Sequence, residues 1–302
     1  MAGKVYFGNK IKQDWIKAPL SGMSASPEGF SETSAFLNGG ASVRRSKGSH
    51  RVFQMGWNGS MNNPGSIDDL SIIKDFADGL HGDGPFYWVD PYAMDQNLFS
   101  PGWAAPFMSI DFDWAGLCPD IAGSPVQRDT VLTSAVTGIG TNTQGYAYKT
   151  AKYTVAGPNA QSYKYTFIIP DGYTLHLGLH GKHGSTGGAF ATPYNASGVA
   201  GTDVQLTALG VDTTTRVNTS FASTSVKRVE FYLKKTASGP CEFFITGLIA
   251  QLLPTGVSPA TGKFISGRGT QQLEFTEVDI NYVSAAINNG QIGMTATLIE
   301  AL

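Results

Sequence analysis

Ser66-Ile67-Asp68-Asp69-Leu70-Ser71-Ile72-Ile73-Lys74-Asp75-Phe76-Ala77-Asp78-Gly79-Leu80 is the stretch of this chain that reads as a helix, and Gly84-Pro85-Phe86-Tyr87-Trp88-Val89-Asp90-Pro91 follows it as an aromatic strand. Ser66 opens a capping-box-like start in which its hydroxyl accepts from the Asp69 N–H, while Asp68 and Asp69 fall where the helix dipole favours negative charge. Ile67, Leu70, Ile73, Ala77 and Leu80 recur at helical spacing and define one apolar stripe. Gly79 and Gly82 offer the left-handed conformations that end a helix. Phe86 to Val89 has the aromatic and β-branched composition of a strand, and Asp90-Pro91 stops it because proline cannot donate to a ladder and restricts the residue before it. The rest reads as short strands and polar turns, so a lone helix is expected to cover one open face of a sandwich.

At 302 residues the chain is long enough for two domains with their own cores. Only 15% of its residues are charged, against about 25% in an ordinary soluble domain. With 37 glycines and 15 prolines, turns must be frequent. Such a polar but weakly charged surface suits extracellular or particle-bound β-proteins. A net charge of −2 leaves no basic footprint for nucleic acid or an anionic membrane. Cys118 and Cys241 lie far apart with no CxxC spacing, which implies neither a zinc site nor a disulfide framework. The first residues lack the apolar core of a signal peptide, and no run approaches the roughly 18 apolar residues of a spanning helix. Synthesis in a cytoplasm and no membrane insertion are therefore expected, and the acceptor-like triplets at Asn58, Asn195 and Asn218 are read as unglycosylated.

Val5 to Pro19 reads as an opening strand anchored by Trp15 and Ile16. Phe30 to Asn38, Ala41 to Arg45 and Arg51 to Trp57 follow as strands separated by glycine turns. From Tyr92 to Pro125 the chain is aromatic and proline-punctuated, with Trp103 and Phe107 in a passage expected to pack across something. After Pro125 about eight strand candidates follow, ending at Leu253, as in a jelly-roll or carbohydrate-module-like sandwich. Beyond a glycine-rich crossing, Val278 to Ile287 and Gln291 to Ala301 are strands, with Ile292, Met294, Ala296 and Leu298 on one face. The expected division is a base domain in residues 1–124, an inserted sandwich in 125–265, and strands in 266–302 that return to the base. Long insertions are tolerated because loop-closure cost grows slowly with length.

A search for chemistry finds little. His176, His180 and His183 cluster, but His176 and His180 on one strand face would stand about 13 Å apart, too far to share a metal. Gly181 to Gly188 resembles a phosphate loop only superficially: the pattern needs glycine at 176 and Ser or Thr at 183, and both are histidine. Gly181 to Gly188 is read as a hairpin tip. Asp111 and Asp113 share a strand face without further ligands at a recognisable spacing. No nucleophile elbow, zincin motif or dinucleotide fingerprint occurs. No cofactor, no metal and no enzymatic activity are expected.

The strand-helix-strand plan ending in Gly84 to Pro91, with Gly262-Lys263-Phe264-Ile265-Ser266-Gly267-Arg268-Gly269 and the closing Gly293 to Glu300, resembles minor tail proteins of long-tailed bacteriophages, especially those of actinobacteria. The base domain is similar to that of distal tail proteins. Ile245 to Gly256 resembles the last core strand of carbohydrate-binding-like sandwiches inserted in such proteins. The resemblance implies a mainly β fold, a distal-tail-like base β-sandwich with one packed helix plus an inserted sandwich. It also implies a virion protein of the tail tip or baseplate that forms a ring with copies of itself, contacts other tail proteins, and touches host surface glycan through the outward insertion. Trp88, Trp103, Phe107, Ile292, Met294 and Leu298 are the expected assembly residues, and the strand Gln291 to Ala301 is the edge expected to add to a neighbour's sheet. A stand-alone glycan-binding module is the alternative, with Tyr146, Tyr148, Tyr173 and Tyr194 as its contacts. A cell-wall glycan hydrolase would need converging carboxylates from Asp111, Asp113 or Asp171.

Overall fold

The computed structural model describes residues 3–19, 24–28, 31–35, 41–45, 50–60, 64–100, 104, 126–129, 150–155, 164–183, 187–207, 219–236, 241–259, 267–270, 272–284 and 291–301. The first elements are β1 (Lys4–Gly8), β2 (Gln13–Lys17), β3 (Ser24–Glu28), β4 (Ser31–Ala35), β5 (Ala41–Arg45), β6 (His50–Ser60), α1 (Pro64–Ala77) and β7 (Tyr87–Val89). Then come β8 (Val126–Asp129), β9 (Thr150–Val155), β10 (Tyr165–Ile168), β11 (Tyr173–His183), β12 (Gly187–Tyr194), β13 (Val204–Leu206), β14 (Thr219–Ala222), β15 (Arg228–Lys235) and β16 (Cys241–Pro254). β17 (Gln272–Ser284) and β18 (Gln291–Ala301) close the chain. The molecule is mainly β, and its long strand pairs, such as β11–β16 and β17–β18, are antiparallel. It divides into two compact units, Met1–Trp88 with Gln272–Leu302, and Val89–Gln271. The sequence boundary at 124 is thus replaced by one at Trp88, because residues 97–100 are built into the second unit's core and hydrogen bonding.

In the first unit, sheets of order β2-β1-β7 and β17-β18-β6-β3 share one core with α1. The single strand read from Val5 to Pro19 is a hairpin. Asn9, only 1% exposed, accepts from the N–H groups of Ile11 and Lys12 and donates to the carbonyls of His81 and Gly82. Its short amide side chain thereby makes the turn and ties it to the segment after the helix. The helix begins at Pro64, where a missing N–H costs nothing, and ends at Ala77, ahead of Gly79 at φ +75°. Asp68 and Asp69 consequently lie past the first turn, and Leu80 falls outside the helix, 70% exposed. Phe76 takes the place expected of Leu80: with Leu70 and Ile73 it forms the buried stripe. Its ring meets Phe7 at 5.6 Å and Phe86 at 5.8 Å, and Phe86 meets Phe275 at 4.8 Å.

β18 lies between β17 and β6, so Gln291 to Ala301 is a central strand and not the expected edge. Its period-two face carries Met294, Ala296 and Leu298 into the core, none more than 2% exposed. At its end Glu300 receives a two-pronged pairing from Arg51, at 2.8 and 2.7 Å, which fastens β18 to β6.

The second unit is a sandwich of two sheets, β10-β15-β12-β13 and β14-β11-β16-β9-β8. Leu175, Leu177 and Leu179 lie opposite Leu252, Ala250 and Leu248 on one inner face. Tyr165, Phe167, Val229, Phe231 and Leu233 line the other, and all are at most 4% exposed. β12 carries little strand signal in the sequence, because Gly187 to Tyr194 is poor in β-branched residues and holds a proline. It is paired on both sides, by β15 and β13. The strand candidate Val131 to Val136 lies outside the described residues.

The incoming and outgoing chains of this unit are zipped together. Arg268 N–H donates to the Asn97 carbonyl and Gly269 N–H to that of Phe99, both at 3.1 Å. The Tyr165 hydroxyl lies 2.9 Å from the Leu98 carbonyl and 2.6 Å from that of Thr270, and accepts from Ser100 N–H at 3.0 Å. The Phe99 ring enters the sandwich against Tyr165, Phe167 and Phe231 at 4.9, 5.0 and 5.3 Å. Only glycine permits so close a backbone approach: a Cβ at Gly267 would stand 2.0 Å from the Phe99 oxygen, and one at Gly269 1.7 Å from the Leu98 oxygen. Gly269→Ala is therefore expected to destabilise the second unit by on the order of 3 kcal/mol or more. Gly256→Ala, strained by its φ of +91° but with nothing within 4 Å, should cost about 1 kcal/mol. Chemical denaturation of both variants checks this, and equal losses would contradict the zipper.

Candidate functional site

Two of the residues expected to touch glycan, Tyr173 and Tyr194, come to the same end of the second unit, where four turns meet. Tyr173 begins β11 and Tyr194 ends β12. Lys227 N–H donates to the Tyr194 carbonyl while its own carbonyl accepts from Ile169, both at 2.8 Å. Ser223 N–H donates to the Tyr173 carbonyl at 3.0 Å, and Thr255 N–H to that of Gly172 at 2.8 Å. Asp171 pairs with Lys227 on top of this frame. Asn195 caps its own turn by accepting from Ser197 and Val199. Three of the turns hold a glycine at positive φ: Gly172, Gly198 and Gly256. On two of these turns Val199 and Val257 stand 61% and 48% exposed. Loops that are hydrogen-bonded to one another at one end of a sandwich are the common place for recognition, because the sheets hold them rigid. Tyr146 and Tyr148 lie outside the described residues.

Inward from this end, the outer face of the β10-β15-β12-β13 sheet carries a charged network. Arg228 lies 3.8 Å from the centre of the Tyr194 ring. Glu230, 3% exposed, accepts from Arg228, Lys164 and the Tyr194 hydroxyl at 3.0, 2.9 and 2.9 Å. Beyond β12, Asp203 immediately ahead of β13 accepts from Thr192, Tyr232 and Lys234 at 2.7, 2.8 and 3.2 Å. Burial works to raise the Asp203 pKa, but the hydrogen bonds from Thr192, Tyr232 and Lys234 and the charge of Lys234 outweigh it and hold the carboxyl below its ordinary range. Burial, together with the Asp203 bond and charge, pushes Tyr232 up to about 12 against the opposing bond from Thr192. Tyr194 is raised by burial and then by its bond to Glu230, against the pull of Arg228. Both carboxylates thus act as hydrogen-bond acceptors, and Asp203 is poorly suited to donate a proton as a general acid would. Sequence reasoning missed this network, since its members alternate along strands whose pairing was unknown.

The expected assembly residues are distributed otherwise. Trp88, Met294 and Leu298 are 8%, 1% and 1% exposed and belong to the first unit's core, where they cannot form an interface. Ile292 pairs through its backbone with Gly59 and Tyr282, and Trp103 and Phe107 lie outside the described residues. The first unit's open features are elsewhere. Leu273 exchanges both backbone hydrogen bonds with Phe86, at 2.7 and 2.9 Å, but beyond it the outer edge of β17 has no partner strand among the described residues. Asp171, named for the hydrolase alternative, is paired with Lys227, and Asp111 and Asp113 lie outside the described residues. No group of three metal-ligating side chains occurs among the described residues, and no described helix is long and apolar enough to cross a membrane.

No protein-family model matches the chain, and no curated protein matches it. Among solved structures it is similar to that of the infectious bursal disease virus Gt strain, at 11% identity over 99% of this chain and 77% of that one, with a TM-score of 0.22. It is likewise similar to the VP2 subviral particle of infectious bursal disease virus, at 10% identity over the same shares, also with a TM-score of 0.22. Likeness at that TM-score supports no inference about this chain.

His176, 9% exposed, faces outward from β11 with its Nε2 unpartnered, opposite Gln251 in the register. Burial lowers its pKa, so the unfolded chain takes up this proton at a higher pH than the folded one. Stability from the neutral form is complete above the ordinary histidine range, about pH 6.5, and is lost as pH falls below it. The urea midpoint of the second unit's transition should therefore drop between pH 7.5 and 5.5, and drop less in His176→Phe. Equal drops would show that the histidine contributes nothing.

Proposed function

We propose that the chain is a structural protein of a virus particle, a distal-tail-type subunit of a long-tailed bacteriophage that forms a ring through its first unit and meets other tail proteins there. The observation that carries this reading is the open edge of β17. A row of unpaired N–H and C=O groups on a long strand is a template for another chain, and natural proteins leave one only where it is guarded or used. The resemblance of Gly84 to Pro91 and Gly262 to Gly269 to phage tail proteins supports the same role, in the virion. No catalysis is assigned to the chain, in keeping with carboxylates that are tied to cations at Asp203 and Glu230.

A second reading is compatible with the first. The turn cluster bearing Tyr173, Tyr194, Val199 and Val257 joins exposed apolar surface to polar groups held in place, which suits host surface glycan. One face of the Tyr194 ring is already taken by Arg228, so a sugar would stack on the other.

Light scattering of the full-length protein over a concentration series tests the assembly reading. A defined multi-subunit mass is expected, and a strict monomer at every concentration would remove it. On a glycan array the same protein should lose signal in Tyr173→Ala and Tyr194→Ala, and signal indifferent to both substitutions would remove the second reading.

A further inference from the structure

The β4–β5 hairpin forms a two-stranded sheet whose strands, among the described residues, pair only with each other, from Ser31 opposite Arg45 to Ala35 opposite Ala41. Two strands alone are marginal in water, and a third strand or a packing surface is what stabilises them. Among the described residues the first unit also has a strand edge with no partner along most of its length, that of β17. Along β17 the register against β18 shifts between Phe275 and Glu277 and again between Tyr282 and Ser284, which leaves residues 277–282 as a regular run between two bulges. That run is long enough for the five residues of β5. We infer that β5 of one copy pairs along residues 277–282 of β17 in a second copy, completing a sheet across the ring contact. This rests on the assembly reading above and names its interface.

Charge selects that occupant. Glu277 and Asp279 stand exposed two residues apart, and therefore on one face of β17. β5 ends in Arg44 and Arg45. Neighbouring residues of a strand alternate between faces, so in either register one arginine falls on the acidic side. Pairing of β17 with its own copy across a two-fold axis would bring carboxylates together and is disfavoured. The far edge of the same sheet, β3, contains Pro27, which has no N–H to give. The bulges and acidic residues of β17 guard the edge against other strands, and a basic strand of matching length satisfies it.

The test is light scattering of full-length protein over a concentration series at low and physiological salt, with circular dichroism to show that each variant folds. Glu277→Lys with Asp279→Lys, and Arg44→Glu with Arg45→Glu, should each raise the concentration at which the wild type associates by roughly tenfold or more. Combining all four substitutions should bring that concentration back toward the wild type. Added salt should weaken wild-type association, since Glu277 and Asp279 are exposed. If the wild type assembles and neither pair shifts it, the pairing is wrong while the assembly reading stands. Loss in the arginine pair without rescue by the four-fold variant assigns the hairpin to a different acidic surface and overturns the pairing equally. A wild type that stays monomeric overturns both.

Discussion

The second unit depends on the closure made where its chain arrives and leaves. Residues 97–100 and 267–270 lie backbone against backbone, with the Tyr165 hydroxyl among three main-chain groups and the Phe99 ring driven between the sheets. Closing a long loop costs conformational entropy, but the cost rises only logarithmically with length. A short run of close backbone contacts and one buried aromatic ring are sufficient to set the ends. The first unit has its own closure, the reciprocal bonds between Phe86 and Leu273 that join the strand after the helix to the strand that resumes the unit. Each unit thereby treats the other as a loop, and both keep a continuous core.

The charged groups of the two units are arranged differently. On the outer sheet face of the second unit the carboxylates of Asp203 and Glu230 are surrounded by donors, and their neighbours Tyr194 and Tyr232 are pushed further from ionising. Such a network orders the face and fixes the end of β12 that carries Tyr194. Its carboxylates already accept from three side chains each, so they order the face and are poorly placed for proton transfer. In the first unit the corresponding asymmetry is between strands: acidic residues on β17, arginines on β5, and a bidentate Arg51–Glu300 pair already spent inside the sheet. Glu274, near the start of β17, is raised by burial and then by Asp83, which places it apart from the exposed acids farther along the strand.

Much of this was legible in the sequence where a local rule sufficed. The mainly β class, the helix α1 and the aromatic strand after it follow from periodicity and composition. The face of the last strand that holds Met294, Ala296 and Leu298 could be read from a period of two, and so could the core face of Tyr165 and Phe167. Sequence periodicity says which residues share a face but not what the face meets, so the same pattern at Met294 and Leu298 supported an interface reading that the burial of both residues excludes. Tyr173 and Tyr194 could be named as aromatics of interest, but nothing linear brought them to one end of the sandwich.

What only the tertiary structure decided is the set of relations between distant segments. That Asn9 makes a turn by bonding across to His81 and Gly82, that Gly267 and Gly269 are required by the carbonyls of Phe99 and Leu98, and that among the described strands β18 is central while β17 lies at the edge all depend on partners far away in the chain. The sequence by itself determined the fold class, because hydrophobic period and turn residues act over a few positions. Strand neighbours, edges and the charged network were decided by long-range pairing, whose energetics depend on which strand lies alongside and not on the strand's own composition.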